Sequence, residues 1–435
     1  MGYFSKIKNL LKQNIFLVGA SALAKFFDII RGVIFLKIFS PFEFGVIDIV
    51  NQIISISKYG DIGFLDNTKR EYNYDYLKTP ILATEKKNAS YGYDLILSVI
   101  MFFIILSSTF FIEDTFIIQT GIVFGAFSFL SQKIIKILNL EMTLKKDFSF
   151  YTKFSIILTL VQNIFILTSV YFIGIYAPLV MKSISLLIVA IYGLNMYPLN
   201  LKFKLEFKYF LSQIKFGLVF SGFSILFGIW IFFERFIITK YFSLAEVGIY
   251  AACLFVLKAG GGFLDEFIKP ISINVKESLS NFNIDIIKKY VLYPSVIFLC
   301  ISPLLIYFAQ TLFNFLEGNI LSNYPGIGGY FSIISFLIPV YGIGSISGYL
   351  LLSKGVDKFT NVYGLYFFRF LFLAFLCYCK SPQLFDTLLL YIVTVELFFF
   401  YGKQFFIFSS FFDKWITLII SIGLFTINLS LINLF

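Results

Sequence analysis

Runs of about 20 apolar residues, the length that crosses a membrane as a helix, follow one another along almost the whole chain. They fall at 14–38, 46–65, 92–112, 115–138, 154–173, 179–198, 216–238, 248–268, 291–316, 331–352, 362–380, 384–406 and 415–434. The pattern predicts an all-α polytopic membrane protein. Twelve spans form two six-helix lobes, 1–198 and 199–406, and the thirteenth is an extra C-terminal transmembrane helix within 407–435. An even number per lobe gives both lobes one orientation, so the pseudo-two-fold axis relating them is expected along the membrane normal.

An internal repeat supports the two lobes. Phe39-Ser40-Pro41-Phe42-Glu43-Phe44-Gly45 lines up with Phe242-Ser243-Leu244-Ala245-Glu246-Val247-Gly248. Lys58-Tyr59-Gly60 then matches Lys258-Ala259-Gly260, and Gly63-Phe64-Leu65-Asp66 matches Gly262-Phe263-Leu264-Asp265. Three matches in order, at offsets that slip only from 203 to 199, indicate duplication with small deletions.

Composition narrows the class. Hydrophobic residues make up 59% of the chain and charged residues 14%, well below the roughly 25% of soluble domains. The net charge of +10 is a topology signal rather than a nucleic-acid footprint. Of the 35 Lys and Arg, 23 lie in alternate connections, including the N-terminus, 66–91, 139–153, 199–215 and 269–290. By the positive-inside rule these connections and the N-terminus are cytoplasmic. The first span mimics a signal peptide, with Lys6, Lys8 and Lys12 before it, but it continues to the turn and is expected to stay uncleaved. Cys253, Cys300, Cys377 and Cys379 all fall in spans, so no disulfide framework is expected. The chain has no His, which removes His-based metal sites, nucleophile activation and proton shuttling.

Ions inside the apolar runs carry the candidate chemistry. A charge at bilayer depth costs at least about 2.5–3.5 kcal/mol, so such residues normally face a protein interior or a wet cavity. Lys25, Asp28 and Arg31 lie three apart on one face of the first span, and Lys58 and Asp61 share a face of the second. Arg235, beside Glu234, sits at a depth near that of Arg31, and Lys258 repeats Lys58. Two readings are open. In one, these ions are internal pairs and snorkelling groups that fix helix packing, a role expected above all of Lys133, Lys136, Lys182, Lys240 and Lys403 near helix ends. In the other, Lys25, Arg31, Lys58, Arg235, Lys258 and Arg369 line a cationic cavity that grips an anionic phosphate head. Asp28, Asp61 and Glu396 are then candidates for ion or proton coupling.

At A-S-x-L-A-K-x-x-x-x-x-R (Ala20 to Arg31), S-P-F-E-F-G (Ser40 to Gly45) and D-I-G-F-L-D (Asp61 to Asp66), the chain resembles one exporter family. This is the polysaccharide-transporter branch of the multidrug/oligosaccharidyl-lipid/polysaccharide exporter superfamily, whose O-antigen members are called Wzx flippases. The resemblance implies two six-helix lobes forming a V, working by alternating access in a bacterial cytoplasmic membrane. It implies a substrate of undecaprenyl-pyrophosphate-linked oligosaccharide, with cationic residues on the first helix among its cavity lining. Membrane lipids, and a polysaccharide polymerase with chain-length machinery, are the partners it suggests; nucleic acid is not. No cofactor is expected, and a coupling ion, proton or sodium, is left open. The thirteenth span departs from the commonest helix count of the family. Alternative readings are a multidrug antiporter of the same fold, which would need an acidic cavity, a membrane polymerase or acyltransferase, and a scaffold.

Overall fold

The computed structural model describes residues 26–58, 63–111, 116–199, 207–258, 293–340 and 360–409, apart from scattered positions within those ranges. Among the described residues there is no strand, so the architecture is all-α as the apolar pattern predicts. The helices are α1 (26–38), α2 (Pro41–Lys58), α3 (Pro80–Ser108), α4 (Phe116–Leu144), α5 (Phe148–Ile173), α6 (Lys182–Met196) and α7 (Phe207–Tyr241). They continue as α8 (244–258), α9 (Tyr293–Asn319), α10 (Ile327–Ile334), α11 (Thr360–Cys379) and α12 (Phe385–Ser409). A π-helical segment, Ala177–Met181, leads directly into α6. Among the described residues, five stretches are long and apolar enough to cross a membrane, the longest being α3 and α4 at 29 residues each. The thirteenth span and the Gly260-Gly261-Gly262 triplet lie outside the described residues.

Several helices run past their apolar runs on the Lys-rich side. The third apolar run begins at residue 92, but α3 starts at Pro80, with proline in the first turn where its missing N–H costs nothing. Hydropathy marks where lipid ends, whereas the helix continues because its turns on the Lys-rich side are buried by protein. Lys87, Asn88, Ala89, Ser90 and Tyr91 are all buried there. Glu141 of α4 takes the Lys87 ammonium at 2.8 Å and the Tyr91 hydroxyl at 2.8 Å, and Lys145 closes on it at 3.1 Å. In α9, Pro303 sits inside a helix that continues through it.

The chain divides into two compact units. One comprises Met1–Arg31 with Val46–Arg235, the other Gly32–Gly45 with Phe236–Phe435. In the first, α4, α5 and α6 share a core of Ile135, Leu138, Met142, Phe154, Leu186, Val189 and Ala190. Helix α4 meets α2 across Gly121 and Gly125, a small-xxx-small pair that lets two membrane helices approach closely. A Cβ on Gly121 would stand 2.9 Å from the Val50 side chain, and one on Gly125 would strike Ile54. That seals one face of α2 against α4 and leaves another free to carry polar groups.

In the second unit the repeated turns meet. Ser40 and Ser243 cap their helices through matching boxes: Glu43 accepts from the Ser40 N–H at 2.9 Å, and Glu246 accepts from the Ser243 N–H at 3.1 Å. Each glycine of the motif then lies against the other helix. A Cβ on Gly45 would collide with the Leu244 carbonyl, and one on Gly248 with the Pro41 carbonyl. The 317–330 connection packs here too, with Asn323 donating to the Lys37 carbonyl at 3.0 Å. Tyr324 is buried edge-on to Phe44, and that burial raises its phenol pKa.

Candidate functional site, a belt of ions in the first unit

Five helices of the first unit bring polar side chains to one level. Arg31, Asp48, Asn51, Asn163 and Arg235 each sit roughly 7–15 Å in from a helix end, at 1.5 Å per residue, and Lys182 follows the five-residue π segment that leads into α6. Their hydrogen bonds join neighbouring helices. Arg31 of α1 holds Asp28 at 2.8 Å, three residues back on its own helix, and donates to the Asn163 amide oxygen of α5 at 3.1 Å. Asn163 is steadied in turn by donating to the Thr159 carbonyl at 2.8 Å.

The polar face of α2 supplies the centre of the belt. Asp48, Asn51 and Gln52 are spaced i, i+3, i+4 and so project together, away from the Val50 and Ile54 face that packs on α4. Arg235 of α7, only 2% exposed, reaches Asp48 at 2.9 Å. It also holds Glu234 at 2.9 Å and donates to the Ile231 carbonyl. Gln52 donates to the other Asp48 oxygen at 3.1 Å, and the Trp230 indole donates to Glu234 at 2.6 Å. Both carboxylates are thus fully engaged, which is what a charge at this depth requires. One turn along α2, Asn51 accepts from the Lys182 ammonium at 2.7 Å.

The candidates from the sequence that fall among the described residues have the following places. Arg31 and Asp28 form an ion pair within α1. Arg235 is gripped by two carboxylates, Asp48 and Glu234, the second of them its sequence neighbour. Arg369 and Glu396, assigned different roles from sequence, form one ion pair between α11 and α12 in the second unit. The Arg369 guanidinium lies 4.5 Å from the centroid of Phe399 and is buried. Lys258 is exposed at the end of α8. Lys25, Asp61 and the side chain of Lys58 lie outside the described residues. Lys133 of α4, one of the helix-end lysines, is buried 3.7 Å from Asp94 of α3. The sequence reading missed Asp48, Asn51 and Asn163. A signal for Asp48 was present: a carboxylate within the second apolar run, near its start, with Asn51 and Gln52 on its face.

Three comparisons bear on this architecture. A family model described as "polysaccharide biosynthesis protein" matches residues 34–319, about two thirds of the chain. Among solved structures, "lipid II flippase MurJ, inward closed conformation" is similar with a TM-score of 0.60 and 13% identity, over 96% of this chain and 98% of that one. A "multidrug resistance MATE family transporter of the MOP superfamily", inward-facing, is similar with a TM-score of 0.56 and 13% identity, over 92% and 98%. At such identities the likeness is one of fold. No curated protein matches the sequence.

Proposed function

The chain belongs to the polysaccharide biosynthesis protein family, and from that premise we propose that it is a flippase for a lipid-linked oligosaccharide. The observation that carries this reading is the ion belt of the first unit, a set of charges at membrane depth joining five helices. Ionisable groups in such positions line substrate and ion pathways more often than they serve packing alone. A sugar–pyrophosphate head cannot cross hydrocarbon unaided, while a prenyl tail can remain in lipid. A polar interior route for the head, with the tail trailing in the bilayer, meets both demands. Arg matches the planar, bidentate geometry of phosphate, and Lys supplies a compact charge. The proposed substrate is an undecaprenyl-pyrophosphate-linked unit of O-antigen, capsule or a related surface glycan, moved to the periplasmic leaflet of a bacterial inner membrane. The two six-helix lobes at 1–198 and 199–406 would be the moving bodies, and polymerase and chain-length machinery would receive the product.

The test is complementation of a strain lacking its own glycan flippase, scored by surface glycan and by trapped lipid-linked precursor. Restored glycan with cleared precursor is expected. Arg31→Ala and Lys258→Ala should each abolish the restoration without lowering membrane abundance. Near-normal restoration in both would return these residues to packing roles. A second reading, a multidrug antiporter, draws on the carboxylates Asp48 and Glu234 around Arg235. Drug efflux by the same strain, without glycan restoration, would select it.

A further inference from the structure

The buried cations Lys87, Lys133, Arg235 and Arg369 each have a carboxylate within ion-pair distance. Lys403 of α12 differs: among the described residues no carboxylate pairs with it. The charge that acts on it is a like one, the Arg369 guanidinium of α11, and protein closes round its ammonium and desolvates it.

Helix geometry explains the arrangement. Glu396, Phe399 and Lys403 are spaced i, i+3, i+7 and so share one face of α12. Arg369 pairs with Glu396 at one end of that face and lies over the Phe399 ring in its middle, 4.5 Å from the centroid. Lys403 follows one turn further on, where Gly402 brings α12 close to α11: a Cβ there would stand 3.5 Å from the Leu365 side chain. About 10 Å along the helix axis separate Lys403 from Glu396, whose carboxylate is engaged by Arg369.

A desolvated charge with no counter-charge is costly, and a like charge beside it adds repulsion. Packing gives no reason to keep it, since an apolar side chain of similar volume would fill the space at no such cost. A lysine near the end of a span can snorkel to water, but that ammonium stays hydrated. The Lys403 ammonium is instead desolvated and acts against Arg369, itself 2% exposed. An incoming anion would offset both the desolvation and the repulsion. Phosphate suits this pair, because its several oxygens can take the fork of an arginine and the point charge of a lysine together.

We propose that Lys403, beside Arg369, binds a phosphate group of the transported head in the second unit. The assignment rests on the flippase reading above. It gives the second unit an anion contact of its own, built on α11 and α12.

Full-length protein in neutral detergent, titrated with inorganic pyrophosphate by calorimetry at fixed ionic strength, tests this. The wild type should bind saturably. Lys403→Gln should weaken binding about tenfold or more, the worth of one charge-assisted hydrogen bond, while Lys403→Arg retains most of it. Thermal unfolding separates a binding lysine from a structural one. Without ligand, Lys403→Met should melt no lower than the wild type, because a desolvated charge is removed. Pyrophosphate should raise the melting temperature of the wild type more than that of Lys403→Met. Unchanged affinity in Lys403→Gln overturns the assignment, and so does a ligand-free Lys403→Met that melts well below the wild type. Absence of binding by the wild type overturns it too, and the flippase reading is then judged by complementation alone. Phosphatidylglycerol in mixed micelles that displaces pyrophosphate at similar concentration would give the site to ordinary phospholipid, and would overturn its assignment to the transported head.

Discussion

Arg235 shows how one residue's surroundings decide its role. A guanidinium held by Asp48, Glu234 and a backbone carbonyl is part of the framework that ties α2 to α7. Removing one partner of a buried ion network strands the others, at a cost of about 3–5 kcal/mol. Arg235→Ala should therefore lower the melting temperature of the detergent-solubilised protein sharply and reduce its abundance in membranes. Pairing it with Asp48→Asn should recover part of the loss, because one stranded charge is removed. If Arg235→Ala melts like the wild type and loses only transport, the arginine is a substrate ligand after all. Its neighbour Asp48 went unread in the sequence because an isolated carboxylate in an apolar run gives no hint of its partner, 187 residues away.

At the scale of elements, the repeated motif F-S-x-x-E-x-G acquires a physical meaning. Serine caps the helix, glutamate three residues on closes the capping box, and glycine permits contact with the other helix. Replacing the cap, Ser40→Ala, should cost about 1 kcal/mol, and Ser243→Ala a similar amount, read by thermal unfolding. Gly248→Leu should cost more than either, because its side chain has a backbone carbonyl in its way. Equal effects of cap and glycine variants would show that the helices part easily at this crossing. The Lys-rich ends of α3 and α4 offer a separate test. Burial works against the Lys145 ammonium, but its hydrogen bond and charge contact with Glu141 outweigh that and hold its pKa above the ordinary lysine value. A raised pKa means that the stabilisation is complete below the unfolded value, about 10.4, and is lost as pH climbs through the folded one. Lys145→Met should be less stable than the wild type at pH 8, and the gap should close under more alkaline conditions. A gap that stays constant with pH would assign the effect to the side chain's aliphatic stem rather than to its charge, which meets both Glu141 and the Tyr197 ring.

For the whole molecule, the proposed function rests on whether a polar head can use the interior of an otherwise apolar chain. Among the described residues the charges of the ion belt are close to balanced: Asp28, Asp48 and Glu234 stand against Arg31, Lys182 and Arg235. A diphosphate entering such a belt would have to compete with resident acceptors for its cations. Adding a carboxylate at Asn163, next to Arg31, should therefore lower glycan restoration at least tenfold, as a new resident competitor. Restoration at the wild-type level in Asn163→Asp would mean that Arg31 does not meet the head.

Much was legible without coordinates, because lipid imposes strict rules. Apolar length, the Lys-rich alternate connections and the repeat at 39–66 and 242–265 determine an all-α, multi-spanning, duplicated chain, since a bilayer leaves backbone polar groups few other ways to be satisfied. The presence of costly ions such as Arg31 and Arg235 was equally visible, because they interrupt apolar runs. Their partners were not. Whether a buried cation is neutralised by a carboxylate, oriented by an amide or left to a substrate depends on which helices touch. Only tertiary structure brings Asp48 to Arg235, Asn163 to Arg31, Asn51 to Lys182 and Glu396 to Arg369. Helix inner ends were decided there as well: hydropathy reports where lipid stops, whereas contacts such as Lys87 with Glu141 keep the helix going in protein.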